Sequence, residues 1–315
     1  QLERAAAIVG TGCGGKTTDE ETYDRLYRQG KSRVHPLTIP KGMPSAAASQ
    51  VSMQLGVAGP VFSVTSACSS AAHAVGQALA LVRSGAVEVA LAGGTDAPFT
   101  AGLMRAWEAM RVLSPDSCRP FSRDRNGLIL GEGAGMVIIE SLDHARNRGA
   151  RIYAQLAGCG MSADAGHITD PSAKGAAKAI TSALSDAGMA PQEVDYVNAH
   201  GTGTIANDVT ETRALKLAFG AHAGSLAVSS TISMHGHALG AAGALELIAA
   251  VKALEVGTIP PTANFTAPGD GCTLDYVPNR ARERSLRCVL SNSFAFGGLN
   301  AVIALRSVEP RLLYV

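Results

Sequence analysis

Residues 64–76, Val-Thr-Ser-Ala-Cys-Ser-Ser-Ala-Ala-His-Ala-Val-Gly, carry almost only small side chains and directly follow a short apolar run at 61–64. A helix with Ser, Ala and Gly on nearly every face lets neighbouring backbones approach closely, so we expect it deep inside an α/β protein. Cys68 stands where the predicted strand meets this helix, beside unpaired N–H groups that lower a thiol pKa and favour a nucleophilic thiolate. A buried, unreactive cysteine is an equally open alternative.

The composition supports a compact α/β protein and excludes two classes of partner. Hydrophobic residues make up 46% of the 315 residues, charged residues 17% and aromatics 4%, and there are 35 glycines. This balance is typical of tightly packed small-residue helices and argues against disorder. The 27 basic residues nearly match the 26 acidic ones, so we expect neither a nucleic-acid partner nor attraction to a membrane surface.

The cysteines and the hydropathy pattern indicate the compartment. The six cysteines are scattered, without a Cys-x-x-Cys pair or a His-Cys cluster at metal-ligand spacing, so we expect no metal site and a reducing, cytoplasmic environment. The sequence shows no secretory leader and no apolar run long enough to cross a bilayer. We therefore expect a soluble protein without stable membrane insertion.

A glycine-rich stretch near the start matches the phosphate-binding P-loop pattern. Gly10 is followed by four residues and then by Gly-Lys-Thr at 15–17, between a predicted strand and a predicted helix. A nucleotide hydrolase also needs an acidic residue for Mg²⁺ at the end of a buried strand. Asp96 is the candidate, but the preceding Gly-Gly pair is expected to place it beyond the strand. A P-loop hydrolase is therefore a remote alternative to a structural glycine turn.

The second part of the chain repeats the organisation of the first. Both 61–85 and 227–257 read as an apolar strand, then a helix of Ala, Gly and His, then a terminating glycine. We therefore predict two similar α/β halves, 1–145 and 146–315, related by a pseudo-twofold axis.

Reactive or hydrogen-bonding groups follow several predicted strands. Cys68, His200 and His237 each lie in a turn after an apolar run, and a flexible-looking loop follows another run at 294–300. Ligands of α/β sheets gather at the carboxyl ends of strands, so we expect these groups to meet. Taken alone, either histidine would be interpreted as a structural residue. The Cys68 thiol together with two imidazoles instead indicates a nucleophile with two partners that can donate or accept protons.

Five motifs from one end of the chain to the other combine these groups with glycines and small residues: Thr65-Ser-Ala-Cys68-Ser-Ser, Gly131-Glu-Gly-Ala-Gly135, Asn198-Ala-His200-Gly-Thr-Gly-Thr204, Gly236-His237-Ala-Leu-Gly-Ala-Ala-Gly-Ala-Leu-Glu246 and Asn292-Ser-Phe-Ala-Phe296-Gly-Gly298. In these motifs and in their order, the chain resembles the β-ketoacyl-acyl-carrier-protein synthases of the thiolase fold, specifically the elongating synthase II branch. Two further segments, 41–53 and 260–265, look most like the rhizobial nodulation ketosynthases. The resemblance implies an α-β-α-β-α layered fold of two related halves.

The resemblance also implies a reaction. Cys68 would take an acyl group from a carrier-protein thioester. His200 and His237 would then stabilise the enolate formed when malonyl-carrier protein loses CO₂, and the carbanion would attack the acyl thioester. The backbone N–H groups of Cys68 and Phe296 would form the oxyanion hole, in a gating turn with Gly297 and Gly298.

The same resemblance implies roles for further residues and for the partners of the protein. No cofactor is expected, because phosphopantetheine arrives on the acyl carrier protein, and the expected assembly is a homodimer or a heterodimer with a second ketosynthase-like chain. The residues concerned are Thr169, Thr202 and Thr204 for the pantetheine arm, Glu246 as support for the histidines, Cys13, Trp107 and Phe294 for the acyl tunnel, and Lys31, Arg33 and Arg111 for the carrier protein. An ordinary solvated surface is as good an explanation of the last three.

The chain departs from the family pattern in three places. Ile232 stands where the family has a lysine that tunes the histidines, and His235 can compensate only in part. We therefore weigh an acyl-binding but condensation-impaired partner of a ketosynthase heterodimer as the alternative function. The family segment ahead of Gln1 is not in this sequence, and without it we expect the first sheet to be one strand short and apolar surface to be exposed. We therefore expect either that the sequence is incomplete or that a partner covers the gap. Ala295 and Leu299 are expected to alter gating.

Overall fold

The structure is a computed structural model that describes residues 2–308, and residues 309–315 of the predicted second half lie outside it. None of the helices in this range combines the length and apolar character that a bilayer crossing requires. The helices are α1 (Lys16–Tyr23), α2 (Thr38–Gly42), α3 (Ala46–Leu55), α4 (Ser70–Arg83), α5 (Ala101–Ala109), α6 (Leu142–Asn147), α7 (Ala173–Asp186), α8 (Ile205–Phe219), α9 (Ile232–His235) and α10 (Ala242–Val256).

Eleven strands form two main sheets and one short ribbon within the described residues. The first sheet has the order β2-β1-β3-β4 and the second β5-β11-β10-β6-β7. The strands are β1 (Ala6–Gly10), β2 (Val61–Val64), β3 (Val89–Asp96), β4 (Gly133–Glu140), β5 (Gln155–Ala163), β6 (Tyr196–Asn198), β7 (Ala227–Ser229), β8 (Thr258–Ile259), β9 (Arg282–Glu283), β10 (Cys288–Ala295) and β11 (Leu299–Arg306).

The two sheets share one connectivity, as predicted for related halves. In the first, β2, β1 and β3 run parallel and β4 is antiparallel to β3. In the second, β7, β6 and β10 run parallel and β11 is antiparallel to β10. The second sheet adds β5 beside β11, and no strand lies at the corresponding edge of β4 among the described residues. Ile138 on β4 is 61% exposed.

The helices complete a five-layer α-β-α-β-α architecture. Helix α3 covers the outer face of the first sheet, and α7 packs on the second. Helix α8 packs beside α7 and shares its hydrophobic core with the second sheet. Helices α4 and α10 lie between the sheets, which explains why α4 is built of small residues. A Cβ at Gly76 of α4 would lie 2.6 Å from the Sγ of Cys159 on β5, so a larger residue would require the side chains of β5 to move. The deep burial predicted for the small-residue helix is confirmed.

Two local predictions were wrong. Asp96 lies within β3 rather than beyond it, because Gly93 and Gly94 remain paired with both neighbouring strands. The residues at 294–300 form a tight β-hairpin rather than a flexible loop, since pairing continues to Ala295 and Leu299. The predicted division after residue 145 falls inside α6 and stays a prediction.

Candidate active site

A strained turn carries Cys68 from the end of β2 to the start of α4. Ala67 has a left-handed backbone with φ of 49°, which is unfavourable for a residue with a side chain. The Ser70 hydroxyl stabilises the turn by contacting both the N–H of Ser66 at 2.8 Å and the carbonyl of Ala67 at 2.7 Å. This conformation places Cys68, only 7% exposed, at the start of the helix.

The three predicted catalytic residues lie together. The Sγ of Cys68 and the ring nitrogens of His200 and His237 that face it lie within 4.8 Å of one another. The two imidazole rings are perpendicular, with centroids 5.2 Å apart. All three side chains are buried, as expected for groups at the carboxyl ends of strands in two facing sheets.

His200 is positioned by an acidic helix face that the sequence reasoning missed. The N–H groups of His200 and Gly201 donate to the Glu211 carboxylate at 2.9 and 2.8 Å. The N–H of Gly203 donates to Asp208 at 3.2 Å. Both acids are fully buried on α8. Their spacing of three residues on one helix face, just after His200, was the available signal.

Burial changes the protonation of these two acids. It raises the pKa of Asp208 to about 7, although Arg125 lies 3.6 Å away and favours the charged form. Burial also raises the pKa of Glu211, against the N–H donors of the His200 turn.

His237 has a defined tautomer. It lies between α9 and a short 3-10 turn, and the N–H of Leu239 donates to its Nδ1 at 3.1 Å. The Nδ1 atom is therefore an acceptor, and the proton of the neutral ring is on Nε2. The backbone of His237 pairs with Ile129 and Gly131 beside the Gly-Glu-Gly-Ala-Gly motif.

Both imidazoles are neutral. Burial lowers the pKa of His237 to about 4, and the neighbouring His235 adds to the effect. Burial and the neighbouring His237 lower the pKa of His200 well below its ordinary value. The Nδ1 of His200 has no hydrogen-bond partner within the described part of the chain. Two neutral rings beside a thiol suit hydrogen-bond donation to a developing negative charge.

A thiol with two imidazoles is also a donor set for a thiophilic metal such as zinc. A metal on Nε2 of His237 would require the proton to move to Nδ1, which already accepts from Leu239. The geometry therefore favours a hydrogen-bond donor at His237 over a metal ligand.

The predicted lowering of the Cys68 pKa was wrong. Burial raises the pKa of the Cys68 thiol to about 12, and the nearby Glu246 carboxyl adds to the rise. The N–H groups of Phe296 and of Cys68 itself act in the opposite direction but do not outweigh burial. The helix-terminus argument correctly identified the donors, but it omitted the cost of placing a charge in a dry site.

A cavity of about 450 Å³ leads to the three side chains. Thr202 and Thr204 lie on its wall with their hydroxyls 2.9 Å apart, and Thr169 also lines it. Phe294, Phe296 and Gly298 complete the predicted residues on this surface. The N–H of Gly297 instead donates to the carbonyl of Ile168 at 2.8 Å, which links the hairpin turn to another wall of the cavity.

The predicted tunnel and carrier residues are more dispersed. Trp107 stacks on Phe296 with ring centroids 6.0 Å apart, but neither Trp107 nor Cys13 lines the cavity. Arg111 is exposed and stands between two lining residues, Met110 and Val112. Lys31 and Arg33 are exposed in the segment between α1 and α2 and do not line it.

Ile232 is buried, and His235 does not replace the charge that the family's lysine would supply there. Ile232 is fully buried, whereas His235 is exposed and its ring nitrogens contact the carbonyl of Gly236 and the hydroxyl of Thr231. Glu246 is fully buried, and neither of its carboxyl oxygens has a hydrogen-bond partner within residues 2–308. Burial and the neighbouring Glu211 raise the pKa of Glu246 well above its ordinary value, although the Ser293 hydroxyl acts against this. Burial without hydrogen-bond donors therefore favours the protonated form of Glu246.

The P-loop interpretation fails on geometry. The N–H groups of Gly12 and Cys13, which would hold a phosphate, donate to the carboxylate of Asp96 at 2.8 and 3.2 Å. A protein side chain thus occupies the position of the anion, and the turn is structural.

The domains of known families match both halves of the chain. The protein family described as "Beta-ketoacyl synthase, N-terminal domain" matches residues 1–145, and the family described as "Beta-ketoacyl synthase, C-terminal domain" matches residues 153–266. Nodulation protein E of Rhizobium sp. (strain N33) is 55% identical over 305 residues, covering 97% of this chain and 76% of the relative. The 3-oxoacyl-[acyl-carrier-protein] synthase 2 of Coxiella burnetii (strain RSA 493 / Nine Mile phase I) is 44% identical over 313 residues, with coverage of 97% and 76%.

A solved structure confirms the fold class. The ishigamide ketosynthase/chain length factor is 39% identical and superposes with a TM-score of 0.94, covering 98% of this chain and 76% of that one. The five-layer architecture and the buried thiol with two imidazoles therefore define a condensing enzyme of the thiolase-like fold. The chain belongs to the beta-ketoacyl synthase family.

Proposed function

We propose that the chain catalyses decarboxylative Claisen condensation, joining an acyl group on Cys68 to malonyl-carrier protein and releasing CO₂ and 3-oxoacyl-carrier protein. The observation that carries the proposal is the convergence of the Cys68 thiol and two neutral imidazoles, with ligating atoms within 4.8 Å, beside a 450 Å³ cavity. Membership of the beta-ketoacyl synthase family supports the same reaction class.

The first step is acyl transfer. The Cys68 sulfur forms a bond to the acyl carbonyl carbon, the bond to the carrier's pantetheine sulfur breaks, and the Cys68 proton ends on that sulfur. The thiol has a pKa of about 12, so it loses its proton only as the carrier's thiolate leaves and takes that proton up. The N–H groups of Cys68 and Phe296, which already favour charge at Sγ, stabilise the tetrahedral oxyanion.

The second step is decarboxylation and condensation. The malonyl carboxylate leaves as CO₂, and its bonding electrons form an enolate whose oxygen accepts from the Nε2–H of His237 and from His200. The enolate carbon then attacks the acyl carbonyl, and the Cys68–acyl bond breaks to leave a thiolate that solvent reprotonates. Because the Leu239 N–H fixes the tautomer, His237 presents a donor without any preceding proton transfer.

The cavity wall suits the pantetheine arm. The paired hydroxyls of Thr202 and Thr204 and the hydroxyl of Thr169 supply hydrogen-bonding groups along a narrow entrance. The arm arrives on its carrier protein, so no resident cofactor is required. Arg111, next to the lining residues Met110 and Val112, is the predicted carrier contact that the geometry favours over Lys31 and Arg33.

We also infer a cytoplasmic enzyme that acts as a dimer. The similarity to a ketosynthase/chain length factor structure supports pairing with a second ketosynthase-like chain, and a homodimer is the other arrangement. A heterodimer gives weight to a second candidate function, an acyl-binding partner impaired in condensation. The observations that favour it are the full burial of the apolar Ile232 and the lack of any hydrogen-bond partner of the Glu246 carboxyl group in the described residues.

Mass spectrometry tests the proposal. Incubation with an acyl-carrier protein is expected to add the acyl mass to the peptide that contains Cys68, and Cys68→Ala is expected to abolish the adduct. Cys118→Ala is the matched control, because Cys118 is also buried near the His200 turn, with its Sγ 3.4 Å from the carbonyl of Thr202. An adduct that survives in Cys68→Ala, or no adduct in the unaltered protein, would contradict the proposal.

A further inference from the structure

The glycine-rich turn after β1 encloses a buried carboxylate that the proposed reaction leaves without a role. Asp96, at the end of β3, is 3% exposed. Its oxygens accept from the Thr11 hydroxyl at 2.7 Å and from the N–H groups of Gly12 at 2.8 Å and Cys13 at 3.2 Å. A fourth donor, the N–H of Gly240 at 2.6 Å, comes from the other half of the chain. Four donors from two segments therefore converge on one side chain.

The backbones of these segments are in direct contact around the carboxylate. A Cβ at Gly240 would lie 2.2 Å from the N of Gly12 and 2.6 Å from the Oδ2 of Asp96. A Cβ at Gly12 would lie 3.2 Å from the same oxygen. Close approach of the Gly12 backbone thus requires glycine at 240, and a side chain at 12 would displace its neighbours by a few tenths of an ångström, so the two turns are tightly packed against each other.

One of these turns sets the ring of His237. Gly240 directly follows Leu239, which has a left-handed backbone with φ of 52° and whose N–H donates to the His237 Nδ1. A leucine in this conformation persists only where its surroundings hold it. The bond from Gly240 to Asp96 supplies that restraint on the very next peptide.

The other turn reaches the nucleophile. The carbonyl of Thr11 accepts from the Ser70 hydroxyl at 3.2 Å, and Ser70 is the residue that stabilises the strained Ala67 turn before Cys68. The carbonyl of Ala67 would also lie 3.5 Å from a Cβ at Gly12. The contact with the nucleophile is thus made through a serine, whereas the contact with His237 runs through two consecutive peptides.

We propose that Asp96 is a positioning residue that holds the turn after His237 so that its Nε2–H faces the developing enolate. This inference rests on the proposed condensation and assigns Asp96 to its second step. Acyl transfer to Cys68 depends on donors of the Phe296 turn and the α4 start, so it is less sensitive to Asp96. The sequence pattern that resembled a phosphate site is explained as a cradle for an internal carboxylate.

Asp96→Asn is a sharp test, because the amide has nearly the same shape but only one acceptor atom for four donors. At least one N–H of the cradle then faces an NH₂ group and loses its partner. Because a displacement of about 1 Å can cost about 100-fold in rate, we expect malonyl decarboxylation to fall by up to about 100-fold. Acylation of Cys68 is expected to fall much less.

Three measurements on the whole protein decide the matter: the rate of Cys68 acylation, the rate of CO₂ release from malonyl-carrier protein, and the thermal midpoint. Asp116→Asn, an exposed carboxylate paired with Arg119, is the matched control and should leave both rates unchanged. If Asp96→Asn lowers both rates by the same factor, or neither, the positioning role is overturned.

A milder variant covers the case in which Asp96→Asn does not fold. Thr11→Val removes one donor and leaves three N–H groups on the carboxylate, so the ratio of decarboxylation to acylation should fall in the same direction by a smaller factor. An unchanged ratio in folded Thr11→Val would contradict the inference.

Nuclear magnetic resonance of ¹⁵N-labelled histidine separates this inference from the proposed reaction. The unaltered protein is expected to show His237 as the Nε2–H tautomer, and Asp96→Asn is expected to show a mixture of tautomers. The same single tautomer in both proteins would overturn the role of Asp96, whatever the activity. Absence of an acyl adduct in the unaltered protein would instead overturn the proposed function.

Discussion

Asp96 and Glu246 are two buried carboxyl groups near the same active site, but their surroundings are opposite. Asp96 accepts four hydrogen bonds, three of them from backbone N–H groups. Glu246 has no hydrogen-bond partner in residues 2–308 and lies near a second acid, Glu211. A protein tolerates a buried carboxyl group either by supplying donors or by keeping the proton on the group. The donors around Asp96 order the two turns that supply them. The lack of donors around Glu246 favours a carboxyl group that carries no charge.

The difference bears on both histidines. The Asp96 side of the pocket defines the tautomer of His237 through Leu239. The Glu246 side supplies no cation, because Ile232 is fully buried and apolar. The orientation of His237 is thus well defined in this active site, whereas no cation at position 232 stabilises the negative charge that develops during decarboxylation.

The largest expected effect concerns the pH dependence of stability. Glu246 has a folded pKa well above its unfolded value, so the folded state holds a proton that the unfolded state releases above about pH 4.5. Its contribution to the free energy of unfolding is therefore lost as the pH rises, by at most about 1.4 kcal/mol per pH unit. Glu246→Gln should become progressively more stable than the unaltered protein between pH 5 and pH 7, roughly the window that this linkage covers.

Urea unfolding at several pH values measures this difference. Glu283→Gln is the control, because Glu283 is exposed on the ribbon strand β9 and should show no such trend. If the stability difference between Glu246→Gln and the unaltered protein does not grow with pH, Glu246 is ionised in the folded state and must have a charged partner.

The second effect compares isosteric amides at the two positions. Asp96→Asn leaves at least one buried N–H without an acceptor and should lower the free energy of unfolding by about 1–3 kcal/mol. Glu246→Gln keeps the shape of a group that has no hydrogen-bond partner to lose in the described residues, so it should lower the free energy of unfolding by less than Asp96→Asn does at pH 5. Equal losses from both substitutions would remove the distinction between the two carboxyl groups.

The smallest effect tests the missing cation. Ile232→Lys is expected to raise the rate of malonyl decarboxylation by about tenfold, because an ammonium group here stabilises negative charge in a water-poor site. Acylation of Cys68 should be retained. Ile232→Met is the control for side-chain length without charge. Equal decarboxylation rates in the unaltered protein and Ile232→Lys would show that the isoleucine does not impair condensation.

The strand-end groups were predictable because each follows an apolar run in the sequence. Cys68, His200 and His237 meet because both sheets direct strand ends to one region. Asp208 and Glu211 were missed although their spacing on one helix face was a signal, because their partners are backbone N–H groups that leave no mark of their own in the sequence. The protonation of Cys68 was predicted in the wrong direction, because a local helix argument contains no information on burial.

The glycine-rich turns show a related limit. The stretch from Gly10 predicted an anion site correctly in one sense, but the anion is Asp96, 84 residues from Gly12 in the chain. The Gly-Gly pair before Asp96 was expected to end a strand, whereas it lets β4 approach closely enough to extend it. Glycine patterns identify close backbone approach, but only tertiary structure identifies the approaching group.

A single-turnover experiment tests the central claim most directly. The protein is loaded with an acyl group, freed of excess donor, and mixed with malonyl-carrier protein that carries ¹³C in its free carboxyl group. The acyl mass on Cys68 is expected to disappear in step with the appearance of 3-oxoacyl-carrier protein and ¹³CO₂. An acyl group that remains on Cys68 while malonyl-carrier protein stays intact would contradict condensation and favour the acyl-binding partner.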